Sequence, residues 1–69
     1  MSARDRIQDG QDLRGAREAL GLTINELAAQ LRMNGVHATR HLREMELGTR
    51  DLAGPVAVAV GYMLELADA

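Results

Sequence analysis

The 69-residue chain has no cysteine, tryptophan, phenylalanine or lysine, and it has a single proline. Without cysteine it can form neither a disulfide nor a thiolate metal site, a composition that suits a reducing cytoplasm. Tyr62 is the only aromatic residue. A core must therefore be built from Leu, Val, Ile, Met and Ala, which favours packed helices over an aromatic-rich sheet. The longest apolar stretch, Val56 to Val60, falls far short of the roughly 20 residues that cross a bilayer. No apolar run follows the charged start Met1-Ser2-Ala3-Arg4-Asp5-Arg6, so no signal peptide and no membrane association are expected. The only serine is Ser2, and a chain this short has little room for a deep pocket. No enzyme activity, cofactor or small-molecule ligand is expected. A domain of this size buries only about 60% of its unfolded surface and often leans on a partner subunit.

What is present is a patterned charge distribution. The net charge is −2, which argues mildly against a nucleic-acid partner, and every basic side chain is arginine. Between Arg32 and Arg50 four arginines face only Glu44 and Glu46, and Val36 to Arg43 carries His37, Arg40, His41 and Arg43 with no acid. The acids gather toward the ends, at Asp5, Asp9, Asp12, Glu65 and Asp68. An acidic whole with one basic segment is compatible with groove binding by that segment.

Residues 1–10 are polar and aperiodic and are expected to be flexible, with one domain over 11–69. From Asp12 the spacing turns helical, with Leu13, Ala16 and Leu20 on one face and Gly21 as a left-handed terminator. Thr23-Ile24-Asn25-Glu26 reads as a capping box that opens a second helix over 24–32, with Leu22 stapled onto Leu27. Asn34 is expected to cap a third helix over 35–47, ended by Gly48. Its inward face is Ala38, Leu42 and Met45, while His37, Arg40 and Glu44 point outward, flanked by Val36 and Arg43. Gly54-Pro55 opens a fourth helix, where proline at the first turn costs nothing. The alternating Val56-Ala57-Val58-Ala59-Val60 could also be read as a strand, but no partner strand exists elsewhere, so helix is preferred.

Two short helices joined by a tight turn and preceded by an amphipathic helix are what a helix-turn-helix requires. On that geometry Arg40 is the first choice for base contact, because a guanidinium grips guanine O6 and N7 together. His37 and Asn34 follow, and Val36 can meet a thymine methyl. Phosphate contacts fall to Thr23, Asn25 and the amides opening the second helix, with Arg43, Arg50 and Arg17 at the rim. His37, His41 and Glu44 share neighbouring helix angles, but no fourth ligand supports a metal site there, and none is expected.

The residues Leu13-Arg14-x-x-Arg17-Glu18-Ala19-Leu20-Gly21-Leu22-Thr23 followed by Glu26-Leu27-Ala28 resemble the opening of the Cro/CI-type helix-turn-helix family, also called the XRE family. Arg43-Glu44-Met45-Glu46-Leu47-Gly48-Thr49-Arg50 looks like that family's later signature, and Gly54-Pro55-Val56-Ala57 like the segment after it in some members. The resemblance covers about Leu13 to Leu66. Met45 stands where tryptophan is usual and Asn25 where glutamine is commoner. Leu31 to Met45 is about four residues longer than in the shortest members, as one extra turn on the third helix or a longer turn before it. The resemblance implies an all-α, lambda-repressor-like bundle of four or five helices. It also implies a repressor of its own or a neighbouring promoter, often in phage or mobile elements.

The fourth helix is apolar nearly all round, with Val56, Val60 and Leu64 on one stripe and Val58, Tyr62 and Leu66 on another. A monomer of this size covers one of them, so the second stripe is expected to form a homodimer that meets a two-fold operator in duplex DNA. The rival reading keeps the helix-turn-helix scaffold but turns its surface to another protein, as an antitoxin or antiactivator.

Overall fold

The computed structural model describes residues 6–68. Among these, four helices and no strand are present: α1 (Gly10–Ala19), α2 (Ile24–Gln30), α3 (Ala38–Leu47) and α4 (Gly54–Asp68). The all-helical expectation holds, and the alternating valines of 56–60 lie within α4.

Local chemistry sets most of the helix ends. Asp9 caps α1, its Oδ1 accepting the Asp12 amide at 2.8 Å, while the Gln8 amide donates to Asp12 Oδ2 at 3.0 Å. The helix thus opens at Gly10, two residues ahead of Asp12, where the spacing turns helical. It closes on Gly21 at φ 71°, with the Leu22 amide reaching the Arg17 carbonyl at 3.1 Å and the Gly21 amide reaching Glu18 at 3.0 Å. The capping box of α2 is formed in both directions, Glu26 N–H to Thr23 Oγ1 at 3.1 Å and Thr23 N–H to Glu26 Oε1 at 2.8 Å. Gly48, at φ 83°, ends α3 where the sequence places its terminator.

The core gathers one face from each helix. Leu13 and Ala16 of α1, Leu27 and Ala28 of α2, Ala38, Leu42 and Met45 of α3, and Val56, Ala57 and Val60 of α4 are buried together. Helix α1 packs on both α3 and α4, and α2 packs on α3. Gly10 makes the α1–α3 approach possible: a Cβ at that position would collide with the carbonyl oxygens of Met45 and Glu46.

Two expectations are corrected here. Ile7, placed by its polar neighbours in a flexible N-terminal segment, is a core residue only 3% exposed. One apolar side chain has no periodicity to reveal it. Residues 1–5 of that segment lie outside the described residues. The third helix starts at Ala38 instead of Gly35, and its flanking residue His37 makes no side-chain capping bond, so Asn34 is not its cap. Gly35 holds φ 113°, a value outside the helical region, and its carbonyl accepts the Ala38 amide at 3.3 Å in a turn. The connection between α2 and α3 therefore runs from Leu31 to His37, longer than expected, and α3 is correspondingly shorter. Helix α2 also ends early, at Gln30, with Arg32 taking the left-handed position after it at φ 56°. Left-handed backbone costs a residue bearing a Cβ about 1–2 kcal/mol.

Candidate nucleic-acid interface

Helix α3 is two-sided. Ala38, Leu42 and Met45 anchor it in the core, and Arg40 and Arg43 are exposed on the opposite side. Of the four residues expected to meet bases, only Arg40 lies on this helix. Asn34, Val36 and His37 sit in the preceding connection, all exposed, with Val36 89% accessible. Just ahead of them, Met33 packs partly buried against the core and anchors the connection. The His37 ring stacks on that of His41 one turn later, centroids 6.0 Å apart. No group of three or more His, Cys, Asp or Glu side chains converges as a metal-ligating set among the described residues.

The phosphate-contact set divides. Thr23 is exposed, with its hydroxyl oxygen accepting the Glu26 amide, and Asn25 is exposed in the first turn of α2. Arg43 lines a shallow cleft of about 190 Å³ with Arg14, Arg17, Ile24, Glu46 and Leu47. Arg50 donates from Nε to Glu44 Oε1 at 3.0 Å, so its charge is matched locally. That hydrogen bond, more than the surrounding charge, holds the Glu44 carboxyl below its ordinary pKa, against an opposing push from desolvation.

Arg17 is engaged within the fold. Its guanidinium grips Glu46 through two hydrogen bonds, Nε to Oε2 at 2.7 Å and Nη2 to Oε1 at 3.1 Å, and donates from Nη1 to the Leu22 carbonyl at 2.9 Å. The two side chains are only 17% and 6% exposed. The hydrogen bond to Glu46 raises the Arg17 pKa above its ordinary value. A cation matched in this way ties α1 to α3 and to the turn before α2. The partner was invisible in the sequence because the contact spans 29 positions.

The remaining ion pairs give the charge pattern its meaning. Arg6 meets Asp68 at 2.9 Å and Arg14 meets Glu18 at 3.4 Å, beside the Arg17–Glu46 and Arg50–Glu44 pairs. Arg32, Arg40 and Arg43 are in no ion pair among the described residues, and all three fall within one twelve-residue stretch. Several acids are meanwhile committed to the chain's own amides: Asp9 and Asp12 at the start of α1, Glu26 at the start of α2. The net charge of −2 therefore says little about the surface carried by α3 and the connection before it. Arg32 was absent from the sequence-derived site, since nothing in its neighbours signals a left-handed backbone.

The expected dimer residues lie on α4. Tyr62 and Leu66 are 57% and 77% exposed, and Val58 is half-buried. Val56 and Val60 of the other stripe are buried, and Leu64 packs partly buried against the core. No helix among the described residues is long and apolar enough to cross a membrane.

Comparison with known proteins identifies no relative: no family model, no curated protein and no solved structure matches this chain.

Proposed function

We propose that this chain is a helix-turn-helix protein of the lambda-repressor-like kind, which binds duplex DNA at a two-fold operator as a cytoplasmic homodimer and represses transcription. The observation that carries the reading is the segregation of charge. Arginines elsewhere in the described chain are paired with acids, whereas Arg32, Arg40 and Arg43 stand unpaired on α3 and the connection that leads into it. The opposite side of α3 is fixed in the core by Ala38, Leu42 and Met45, which gives the exposed arginines a rigid base. In this reading α2 lies across the phosphate backbone, α3 enters the major groove, and Arg40 reads a base pair. Arg43 joins Thr23 and Asn25 on phosphates, and Arg50 contributes less because Glu44 already engages it.

Selection from random duplexes, followed by competition of the selected operator against a scrambled duplex, tests the reading. Arg40→Ala is expected to cost about 1–3 kcal/mol on the operator and to relax choice at one base pair. Arg43→Ala is expected to weaken all duplexes alike and to lower the salt slope by about one contact per site. Equal loss on operator and scrambled DNA in Arg40→Ala would move Arg40 into the phosphate set. Failure of the unmodified protein to bind any duplex at low salt would favour the rival reading, a protein-binding antitoxin or antiactivator. The exposed apolar side chains Val36, ahead of α3, and Leu47, at its last position, give that rival its support.

A further inference from the structure

Among the described residues, Arg32 is the only one other than glycine with a left-handed backbone, at φ 56°. Glycine fills the corresponding place after α1, at Gly21, and after α3, at Gly48. The chain thus closes two helices with the residue that tolerates this geometry and closes α2 with one that does not. The conformation is also firmly held. The Arg32 amide donates to the Ala29 carbonyl at 3.1 Å, the Met33 amide donates to Ala28 at 3.0 Å, and Met33 packs against the core. Arg32 cannot relax without undoing the end of α2. Its side chain is exposed and joins no ion pair among the described residues, so the geometry is held by backbone hydrogen bonds that a glycine would make equally well, and the arginine side chain adds nothing to it.

Strain that persists under such constraint often marks a functional position. Here the strained residue brings a cation to the connection that also exposes Asn34, Val36 and His37, ahead of Arg40 and Arg43 on α3. A side chain rooted in a fixed backbone loses less freedom on binding than one on a mobile loop.

We propose that Arg32 is a phosphate contact of the DNA interface, and that the left-handed backbone after α2 is retained because an arginine, which glycine cannot replace functionally, is needed there. The inference rests on the DNA-binding reading above and adds to it a residue that reading does not supply.

Arg32→Gly and Arg32→Lys, compared with the unmodified protein, test it with two independent measurements. Thermal unfolding of Arg32→Gly is expected to shift its midpoint upward by roughly 4–8 °C, as strain is relieved in a domain of this size. The same substitution is expected to reduce duplex affinity at least about tenfold at low salt. It should also flatten the slope of log K against log salt by about 0.9 for each of the two contacts in a dimer. Arg32→Lys keeps the cation, so its slope stays near that of the unmodified protein while its midpoint shows no gain. An Arg32→Gly protein that is more stable yet binds with unchanged slope overturns the assignment and leaves the DNA-binding reading intact. An Arg32→Gly protein with no gain in midpoint overturns the strain argument and the proposal with it. If the unmodified protein binds no duplex at low salt, the DNA-binding reading fails first and the assignment of Arg32 falls with it.

Discussion

Arg17 and Glu46 join helices α1 and α3 through a two-point contact that is largely out of solvent. Removing one member leaves the other desolvated and unmatched, which in buried pairs costs about 3–5 kcal/mol. Because Arg17 keeps 17% exposure and its bond to the Leu22 carbonyl, Glu46→Ala is expected to cost somewhat less, about 2–4 kcal/mol. A 69-residue domain has only about 3–10 kcal/mol in total, so urea unfolding should show Glu46→Ala near the edge of folding. Replacing both residues together with apolar side chains of similar volume should recover much of the loss. A single substitution with an unchanged urea midpoint would show that the pair contributes nothing net. The pair also marks where sequence reading stops. Thr23 and Glu26 are three residues apart, and their reciprocal capping follows from local chemistry alone. Arg17 and Glu46 meet only because α1 and α3 pack, so residue spacing assigns Arg17 to phosphate when its charge is already committed.

At the scale of the helix, two glycines of α1 make opposite predictions. Gly15 has nothing within 4 Å of a built Cβ, whereas a Cβ on Gly10 meets the backbone of Met45 and Glu46. Gly15→Ala is therefore expected to stabilise the protein by about 0.5–1 kcal/mol through helix propensity. Gly10→Ala must separate α1 from α3, at a cost of about 1–3 kcal/mol as for an overpacked core. Thermal midpoints moving in the same direction for both would contradict the packing described. The end of α3 supplies a pH dependence. Glu44 has its pKa lowered in the folded state by Arg50, so its stabilising contribution is present above the ordinary carboxylate pKa. It is lost as pH falls through the depressed folded value. The stability difference between the unmodified protein and Glu44→Gln should thus be largest near neutrality and vanish in acid. A difference that grows in acid would give the pair the wrong sign. The helices themselves were legible wherever punctuation is local, at the capping box, at Gly21 and Gly48, and at Gly54-Pro55. The start of α3 was not. Asn34 and Gly35 are good cap residues by type, but Gly35 turns at φ 113° and Met33 ahead of it packs on the core, which residue type alone does not reveal. Three of the four expected base contacts consequently lie off the helix that was expected to carry them.

For the molecule as a whole, the radius of gyration of 10.9 Å matches the value of about 11 Å for a compact chain of this length. Compactness still leaves Tyr62 and Leu66 accessible on α4, one turn apart, while Val56 and Val60 fill the core. If this face joins two protomers, Leu66→Glu should leave the fold intact and convert the dimer to monomer, with a matching loss of operator affinity. Sedimentation at micromolar concentration measures this, and an unmodified protein that is already a clean monomer would remove α4 from the interface. The Arg6–Asp68 contact adds a consequence for anyone who handles the protein. Its 2.9 Å clasp brings together positions 62 residues apart, so the stretch that carries Ile7 into the core is tied to the last turn of α4. Both residues lie near the end of α4 that carries Leu66. The pair is accessible to solvent on both sides, so raising salt is expected to loosen the clasp beside Leu66. Assembly is best measured at a fixed ionic strength.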